Sequence, residues 1–272
     1  MTKIFITDNG SVRPQATRML RQIAQQLSAV SGHPVDAVSL QHADRIDPEL
    51  IDGRPAQLLA DYLRQHLQAG ERQFIALPLF FGLSRAVTSF IPQQQTALEA
   101  EFGVFDIRVA NVLYPLPDGD SRLVDILYDN IRQAAEQHQL PMQHVVLVDH
   151  GSPSPKVTEV RQQLARQLQP RLGNQNVLAQ AVMERREGKE YDFNGPLLQH
   201  WLGELAASGE KSAIVGMMFL LPGRHAGEGG DIHQICADVM YQYPGFEVAI
   251  SALVGEHPAL IELLHQRLLA RL

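Results

Sequence analysis

The sequence repeats itself once, at a spacing close to half of its 272 residues. The segment ITDNGS at residues 6–11 returns as LVDHGS at residues 147–152, a spacing of 147 − 6 = 141 residues. A second pair of segments, residues 75–85 and 214–224, has a spacing of 214 − 75 = 139 residues. Repeats of this length are duplicated domains, because solenoid repeats are several times shorter. We therefore expect two similar domains, residues 1–141 and residues 142–272.

Each half alternates short apolar segments with longer amphipathic ones, which is the pattern of parallel strands covered by helices. The pattern predicts an α/β fold in which each half is an open parallel sheet of about four strands flanked by helices. The predicted strands lie near residues 3–8, 35–40, 73–80, 105–113, 144–149, 176–182, 212–219 and 246–253. The predicted helices lie near residues 14–29, 54–69, 86–101, 120–138, 155–169, 194–208, 231–242 and 258–271.

The composition excludes several classes of site and partner. A single cysteine, Cys236, excludes an intramolecular disulfide, a Cys-rich zinc site and an iron–sulfur cluster held by this chain alone. A net charge of −7 without a Lys/Arg-rich segment argues against a nucleic-acid partner. No apolar segment reaches the ~20 residues of a membrane span, and no signal peptide is recognisable. We therefore expect a cytoplasmic protein with no membrane partner.

The two halves differ in the residues that follow their strands. His150 follows the first strand of the second half, where the first half has Asn9. His225 follows the third strand, where the first half has Ala86. A lone histidine at such a position is more often a hydrogen-bonded polar residue than a functional one. Because the carboxyl ends of parallel strands form one rim, where ligands bind, we expect both histidines at the same rim.

Glu184 ends the second strand of the second half and is predicted to reach the same rim. By the 141-residue spacing its counterpart in the first half is 184 − 141 = 43, which is Ala43. On its own, Glu184 is equally compatible with a solvated loop in which it pairs with Arg185 or Arg186. Two imidazoles and a carboxylate together suit an open site for a divalent transition metal, and imidazole can also accept protons near neutral pH.

At these residues the chain resembles the sirohydrochlorin chelatases, a family of class II chelatases. The resemblance rests on four segments in order: the strand ending in His-Gly-Ser at 145–152, Val-Met-Glu at 182–184, residues 219–225 with Asp-Ile at 231–232, and residues 253–258. They span nearly all of the second half, whereas the first half is similar only as a degenerate repeat. An insertion at residues 226–230 lengthens the loop after His225.

The resemblance implies an enzyme, a lyase that inserts Co²⁺ or Fe²⁺ into sirohydrochlorin and releases two protons, in cobalamin or siroheme biosynthesis. Ni²⁺ is also compatible with the ligands, and no cofactor beyond the substrate metal is implied. His150 and His225 would bind the metal or accept the protons, and Glu184 would assist as a catalytic residue. The residues expected to contact the tetrapyrrole are Ser152, Gly223 and Arg224.

Two other functions remain open at this point. The same fold could serve a non-catalytic carrier of metal or tetrapyrrole, which would bind its ligand without turnover. An unrelated α/β enzyme could instead hold phosphate at the Gly-Ser start of a helix. We expect a monomer, because two fused halves could replace the dimer that a single-half protein would need.

Overall fold

The computed structural model describes residues 2–272, which form two four-stranded parallel sheets. The predicted α/β fold is confirmed. The first sheet has the order β2-β1-β3-β4 and the second the order β6-β5-β7-β8. The strands are β1 (Lys3–Asp8), β2 (Val35–Ser39), β3 (Gln73–Pro78), β4 (Asp106–Val109), β5 (His144–Asp149), β6 (Val177–Val182), β7 (Ser212–Met217) and β8 (Glu247–Ile250). The helices are α1 (Pro14–Ser31), α2 (Leu59–Gln68), α3 (Ile91–Phe102), α4 (Ser121–His138), α5 (Pro155–Leu172), α6 (Leu198–Ala207), α7 (Asp231–Gln242) and α8 (Ala259–Leu269).

Strand β5, one of the two central strands of the second sheet, is covered on both faces. Its residues 145–148 are fully buried, which is why this strand reads as a continuous apolar segment. Val146 and Val148 belong to the core cluster that includes residues of α6 and α7. On the other face, Gly216 of β7 leaves room for α4, since a Cβ there would lie 2.8 Å from Cδ1 of Ile131. The sheet is therefore the middle layer between two layers of helices.

Helix ends follow from the local sequence. Both α1 and α5 begin with a proline, Pro14 and Pro155, whose missing N–H costs nothing in a first helical turn. Helix α1 ends at Gly32, which adopts a left-handed conformation with φ of 70° and donates its N–H to the Ser28 carbonyl. None of the helices within residues 2–272 is both long enough and apolar enough to cross a membrane.

The chain divides into two compact units that do not coincide with the predicted repeat boundary between residues 141 and 142. One unit comprises residues 1–118 with residues 258–272, and the other comprises residues 119–257. Helix α4, the last helix of the first repeat, therefore belongs to the second unit. Helix α8, the last helix of the second repeat, belongs to the first unit, where it packs on α1 and β3.

Candidate functional site

The structure brings together the two histidines that the sequence places after neighbouring strands. His150 directly follows β5, and His225 lies in the loop that follows β7, the strand paired with β5. The two imidazole rings have centroids 4.7 Å apart and planes inclined by 75°. The side chain of His150 is 45% exposed and that of His225 is 29% exposed. Both rings are therefore close to each other and open to solvent.

Gly151 allows Glu184 to lie beside His150. Gly151 has a φ of +93°, and a Cβ at this position would lie 1.9 Å from the Glu184 carbonyl oxygen. The close approach is fixed by a hydrogen bond in which the Glu184 N–H donates to the His150 carbonyl, at 3.1 Å. The Glu184 carboxylate consequently reaches the ring, with Oε1 at 3.3 Å from Nε2 of His150. The structure thus groups all three predicted catalytic residues at one rim.

Asp231 is a fourth site residue, and its pairing with His225 was not predicted. The loop after His225 folds back on itself, with the Ile232 N–H donating to the His225 carbonyl at 3.1 Å. The fold-back places Asp231, the first residue of α7, with Oδ2 at 2.5 Å from Nδ1 of His225. The sequence identified Asp231 only as part of a motif, because nothing in the glycine-rich loop reveals that it returns to the histidine.

Hydrogen-bond partners determine which ring nitrogens are free for chemistry. A carboxylate only accepts, so Nδ1 of His225 carries the hydrogen and its Nε2 keeps a lone pair. Nδ1 of His150 lies 3.2 Å from the Gly151 carbonyl and Nε2 lies 3.3 Å from Oε1 of Glu184, so both nitrogens of that ring face groups that only accept. Among residues 2–272, no group of three or more His, Cys, Asp or Glu side chains is already arranged to hold a metal ion.

The backbone after β5 is already satisfied, which argues against a phosphate cradle. The Gly151 N–H donates to Oδ1 of Asp149 and the Ser152 N–H donates to Oδ1 of Asn194, both at 3.0 Å. The Ser154 N–H donates to Oγ of Ser152. The other two residues of the segment 151–155 are prolines, which have no N–H. The segment 151–155 therefore offers no free amide for a phosphate.

The three residues predicted to contact the tetrapyrrole lie near the histidines but differ in hydrogen bonding and exposure. Ser152 is engaged by its neighbours through both backbone and side chain. The Gly223 carbonyl accepts the Gly227 N–H at 3.1 Å, so this glycine stabilises the loop after β7. The Arg224 side chain is 75% exposed, and its Nε lies 3.9 Å from Oδ2 of Asp231. Of the three, only Arg224 presents a cationic side chain to solvent.

The first half has the amide side chains of Asn9 and Gln41 at the positions of His150 and Glu184. Asn9 takes the place of His150, and a Cβ on Gly10 would meet the carbonyl oxygen of Gln41, as one on Gly151 meets that of Glu184. The assignment of Ala43 as the counterpart of Glu184 was therefore wrong. The strand registers Ile4↔Val35 and Val145↔Leu178 give a spacing of 178 − 35 = 143 here, and 184 − 143 = 41. Measured between paired residues, the segment from the first strand to the second is two residues longer in the second half than in the first, so the repeat spacing rises from 141 to 143.

The strand-end aspartates of the two halves also differ in their partners. Asp149 lies against a buried arginine, with Oδ2 at 3.4 Å from Nε of Arg161. In the first half the 141-residue spacing puts Leu20 in place of Arg161, and Oδ1 of Asp8 is buried without a hydrogen-bond partner. Burial raises the pKa of Asp8, and hydrogen bonds from Ser39 and Gly10 only partly oppose the rise.

We expect Asp8→Asn to stabilise the protein, and to do so increasingly as pH rises. Because the pKa of Asp8 is higher in the folded protein, its contribution to stability is complete below the unfolded pKa of ~3.9 and is lost as pH rises through the folded pKa. Asparagine cannot ionise and avoids that loss. Urea unfolding at about pH 4 and about pH 8 measures the difference.

Asp44→Asn is the control, since Asp44 is an exposed aspartate of the same unit. Its effect on the free energy of unfolding should be small at both pH values. An Asp8→Asn advantage that is equal at the two pH values would show that ionisation of the buried carboxyl is not its cause.

The half of the chain that carries the site matches a known family model. Residues 144–270 match the CbiX family model. No curated relative matches the sequence at significant similarity. SirB from Bacillus subtilis with Fe³⁺ superposes with a TM-score of 0.72 at 16% identity, over 98% of this chain and 94% of that chain.

Two further solved structures are similar over more than nine-tenths of their length. The sirohydrochlorin chelatase SirB from Bacillus subtilis subspecies spizizenii, in complex with cobalt, has a TM-score of 0.69 at 15% identity, covering 98% of this chain and 93% of that one. CbiX, described as the terminal enzyme for siroheme biosynthesis in denitrifying bacteria, has a TM-score of 0.59 at 16% identity, covering 100% and 99%. The chain thus has the fold of these chelatase structures along its length, and its residues 144–270 match the CbiX family model.

Proposed function

We propose that this chain is a sirohydrochlorin chelatase, a lyase that inserts Co²⁺ or Fe²⁺ into sirohydrochlorin in cobalamin or siroheme biosynthesis. The observation that carries the proposal is the meeting of His150 and His225, with ring centroids 4.7 Å apart, at the strand-end rim of the half that matches the family. The similar structures support the substrate class, since one is a sirohydrochlorin chelatase in complex with cobalt and another is SirB with Fe³⁺.

The geometry around His150 suits an incoming cation. Both nitrogens of the His150 ring face acceptors, so a neutral ring must turn one lone pair towards an acceptor, which a metal ion or a second proton would relieve; Nε2 lies 3.3 Å from Oε1 of Glu184. Two ligands at about 2.1 Å from a tetrahedral ion lie about 3.4 Å apart, close to the observed separation of His150 Nε2 and Glu184 Oε1. The Nε2 lone pair of His225 supplies a second nitrogen ligand, and Asp231 on the other side of that ring strengthens it as a donor.

The same residues balance the protons of the reaction. Sirohydrochlorin exchanges two pyrrole N–H protons for one M²⁺, so two N–H bonds break as the metal passes to the macrocycle nitrogens. Each imidazole that releases the metal regains a lone pair and can accept one of the two protons. Protonated His150 would then donate Nδ1–H to the Gly151 carbonyl and Nε2–H to Glu184. The mechanism requires no cofactor beyond the substrate metal.

The substrate is a polycarboxylate, and the exposed Arg224 is the residue we assign to its recognition. Its guanidinium carries five donors suited to bidentate contact with a carboxylate. The long contact to Asp231, 3.9 Å, leaves the side chain able to move to a ligand. Ser152 and Gly223 would act through the shape of their loops, because their polar groups are already hydrogen-bonded.

The proposal is tested by anaerobic mixing of the purified chain with metal-free sirohydrochlorin and Co²⁺ or Fe²⁺, followed by absorbance. We expect multiple turnovers per protein molecule and a rate well above that of the protein-free reaction. Stoichiometric binding without turnover would instead identify a carrier of metal or tetrapyrrole. The metal with the higher kcat/KM identifies the better substrate of the two.

The role of Asp231 gives a separate prediction. Asp231→Ala should lower metal affinity or kcat/KM by about 10- to 100-fold, because the carboxylate orients the His225 ring and raises its basicity. Asp238→Ala is the matched control, since Asp238 is an exposed aspartate of the same helix. Titration with Co²⁺, with its visible absorption as the signal, measures affinity without requiring turnover. Equal Co²⁺ affinity in the two variants would contradict the role of Asp231.

A further inference from the structure

The segment that carries His150 is held by a buried polar network centred on Arg161. Arg161 lies in α5 and is 1% exposed, which is rare for a charged side chain. Its guanidinium donates Nη1–H to the Ala181 carbonyl and Nη2–H to the Asn194 carbonyl, the latter at 2.6 Å. Its Nε lies 3.4 Å from Oδ2 of Asp149, the residue before His150. One side chain therefore joins a helix, a strand end and the loop before α6.

Asn194 extends the network to the other side of His150. Its Oδ1 accepts the Ser152 N–H at 3.0 Å and the Thr158 hydroxyl at 3.2 Å. Its Nδ2 donates to the carbonyls of Ser152 and Tyr191, both at 3.0 Å. Oδ1 of Asp149 accepts the Gly151 N–H at 3.0 Å. The residues on both sides of His150 are thus fixed by groups that Arg161 holds in place.

The first half shows that the fold does not require this network. It makes the same glycine turn, at Gly10, with Leu20 in the position of Arg161. The first half has its own arginine tether, the half-buried Arg21, which donates to the carbonyls of Ile51, Arg54 and Pro55. None of these bonds involves Asp8. Replacing a buried ion pair by an apolar side chain is often neutral for stability, so a charged network kept only beside the histidines calls for another reason.

We propose that Arg161 is a positioning residue that fixes the His150 loop for metal transfer. The inference rests on the proposed chelatase function and adds to it a residue that does not touch the substrate. A loop held from both sides keeps Nε2 of His150 at a set distance from Glu184 and from the His225 ring. A misplacement of about 1 Å at a reacting group can cost about 100-fold in rate, which is the scale of effect that such a device prevents.

The test compares Arg161→Leu, which introduces the first-half residue, with Arg21→Leu in the other unit. We expect Arg161→Leu to lower kcat and the Co²⁺ affinity by about 10- to 100-fold, while the KM for sirohydrochlorin changes less. Arg21→Leu should lower the melting temperature but leave kcat and Co²⁺ affinity near those of the wild type. Arg161→Lys, which keeps the cation beside Asp149 but cannot serve both carbonyls, should lie between Arg161→Leu and the wild type.

Two results would overturn the proposal. The first is a folded Arg161→Leu variant with wild-type kcat and Co²⁺ affinity. The second is an equal loss of kcat in Arg21→Leu, which would make the effect one of stability alone. If Arg161→Leu does not fold, Arg161→Lys and Asn194→Asp carry the comparison. The Co²⁺ titration needs no turnover, so it tests the positioning role even if the wild-type protein proves to be a carrier.

Discussion

The double substitution His150→Asn with His225→Ala is expected to reduce the rate of metal insertion by about 10²- to 10⁴-fold. It gives the second rim the residues of the first, Asn9 and Ala86. The loss follows because both proposed nitrogen ligands and proton acceptors disappear together. Neither histidine is buried in the core, so the melting temperature should change little. Steady-state insertion kinetics and thermal unfolding, measured on one preparation, separate the two effects.

The single variants add a second level to this prediction. If the histidines act as a unit, each single loss should cost nearly as much as the double loss. His33→Ala provides the control for a general effect of removing an imidazole, because His33 is exposed and belongs to the first unit. Wild-type insertion by the double variant would remove the basis of the proposed site.

Gly151→Ala is expected to cause a large loss of stability. The φ of +93° disfavours any side chain, and the new Cβ would lie 1.9 Å from the Glu184 carbonyl oxygen. Because that atom belongs to the backbone, the loop must move to make room. We expect the free energy of unfolding to fall by about 2–4 kcal/mol and insertion to fall with it, since the movement separates Glu184 from His150. Urea unfolding and insertion kinetics measure the two losses.

Gly10→Ala is a matched control for this glycine. It has a φ of +88°, and its Cβ would lie 1.7 Å from the Gln41 carbonyl oxygen, so the steric conflict is of the same kind. We expect a similar loss of stability. Insertion measured below the unfolding transition should stay closer to that of the wild type, because Gly10 holds no histidine loop. If the two variants lose equal activity per folded molecule, Gly151 has no role particular to the site.

The strands and the shared rim could be predicted because they depend on patterns local to the sequence. Buried central strands such as β5 are uniformly apolar, and parallel pairing sends the residue after each strand to one edge. Those two facts suffice to bring His150 and His225 together. Glycine at 151 was recognisable as a turn, although its contact with the Glu184 carbonyl was not, since that depends on the length of a later segment.

The supporting residues could not be predicted, because each acts through a long-range contact. From the sequence alone, Arg161 is indistinguishable from an ordinary polar residue of an amphipathic helix. Asn194 is likewise indistinguishable from an ordinary loop residue. Their burial becomes evident only when α5 and the segment before α6 are packed together. The counterpart of Glu184 was misassigned for a related reason, since a constant repeat spacing ignores two residues gained between strands.

The exchange of terminal helices bears on how such a chain can be divided or could have arisen. Each repeat ends in a helix, α4 or α8, that completes the other compact unit, as in a domain-swapped pair of identical subunits. A cut between residues 141 and 142 would strip α4 and its buried leucines and isoleucines from the sheet they cover. Residues 119–257, rather than the second repeat, are the segment that keeps both histidines within one complete compact unit. Fusion of two swapping copies into one polypeptide would have made the exchange permanent and left one copy free to lose its imidazoles.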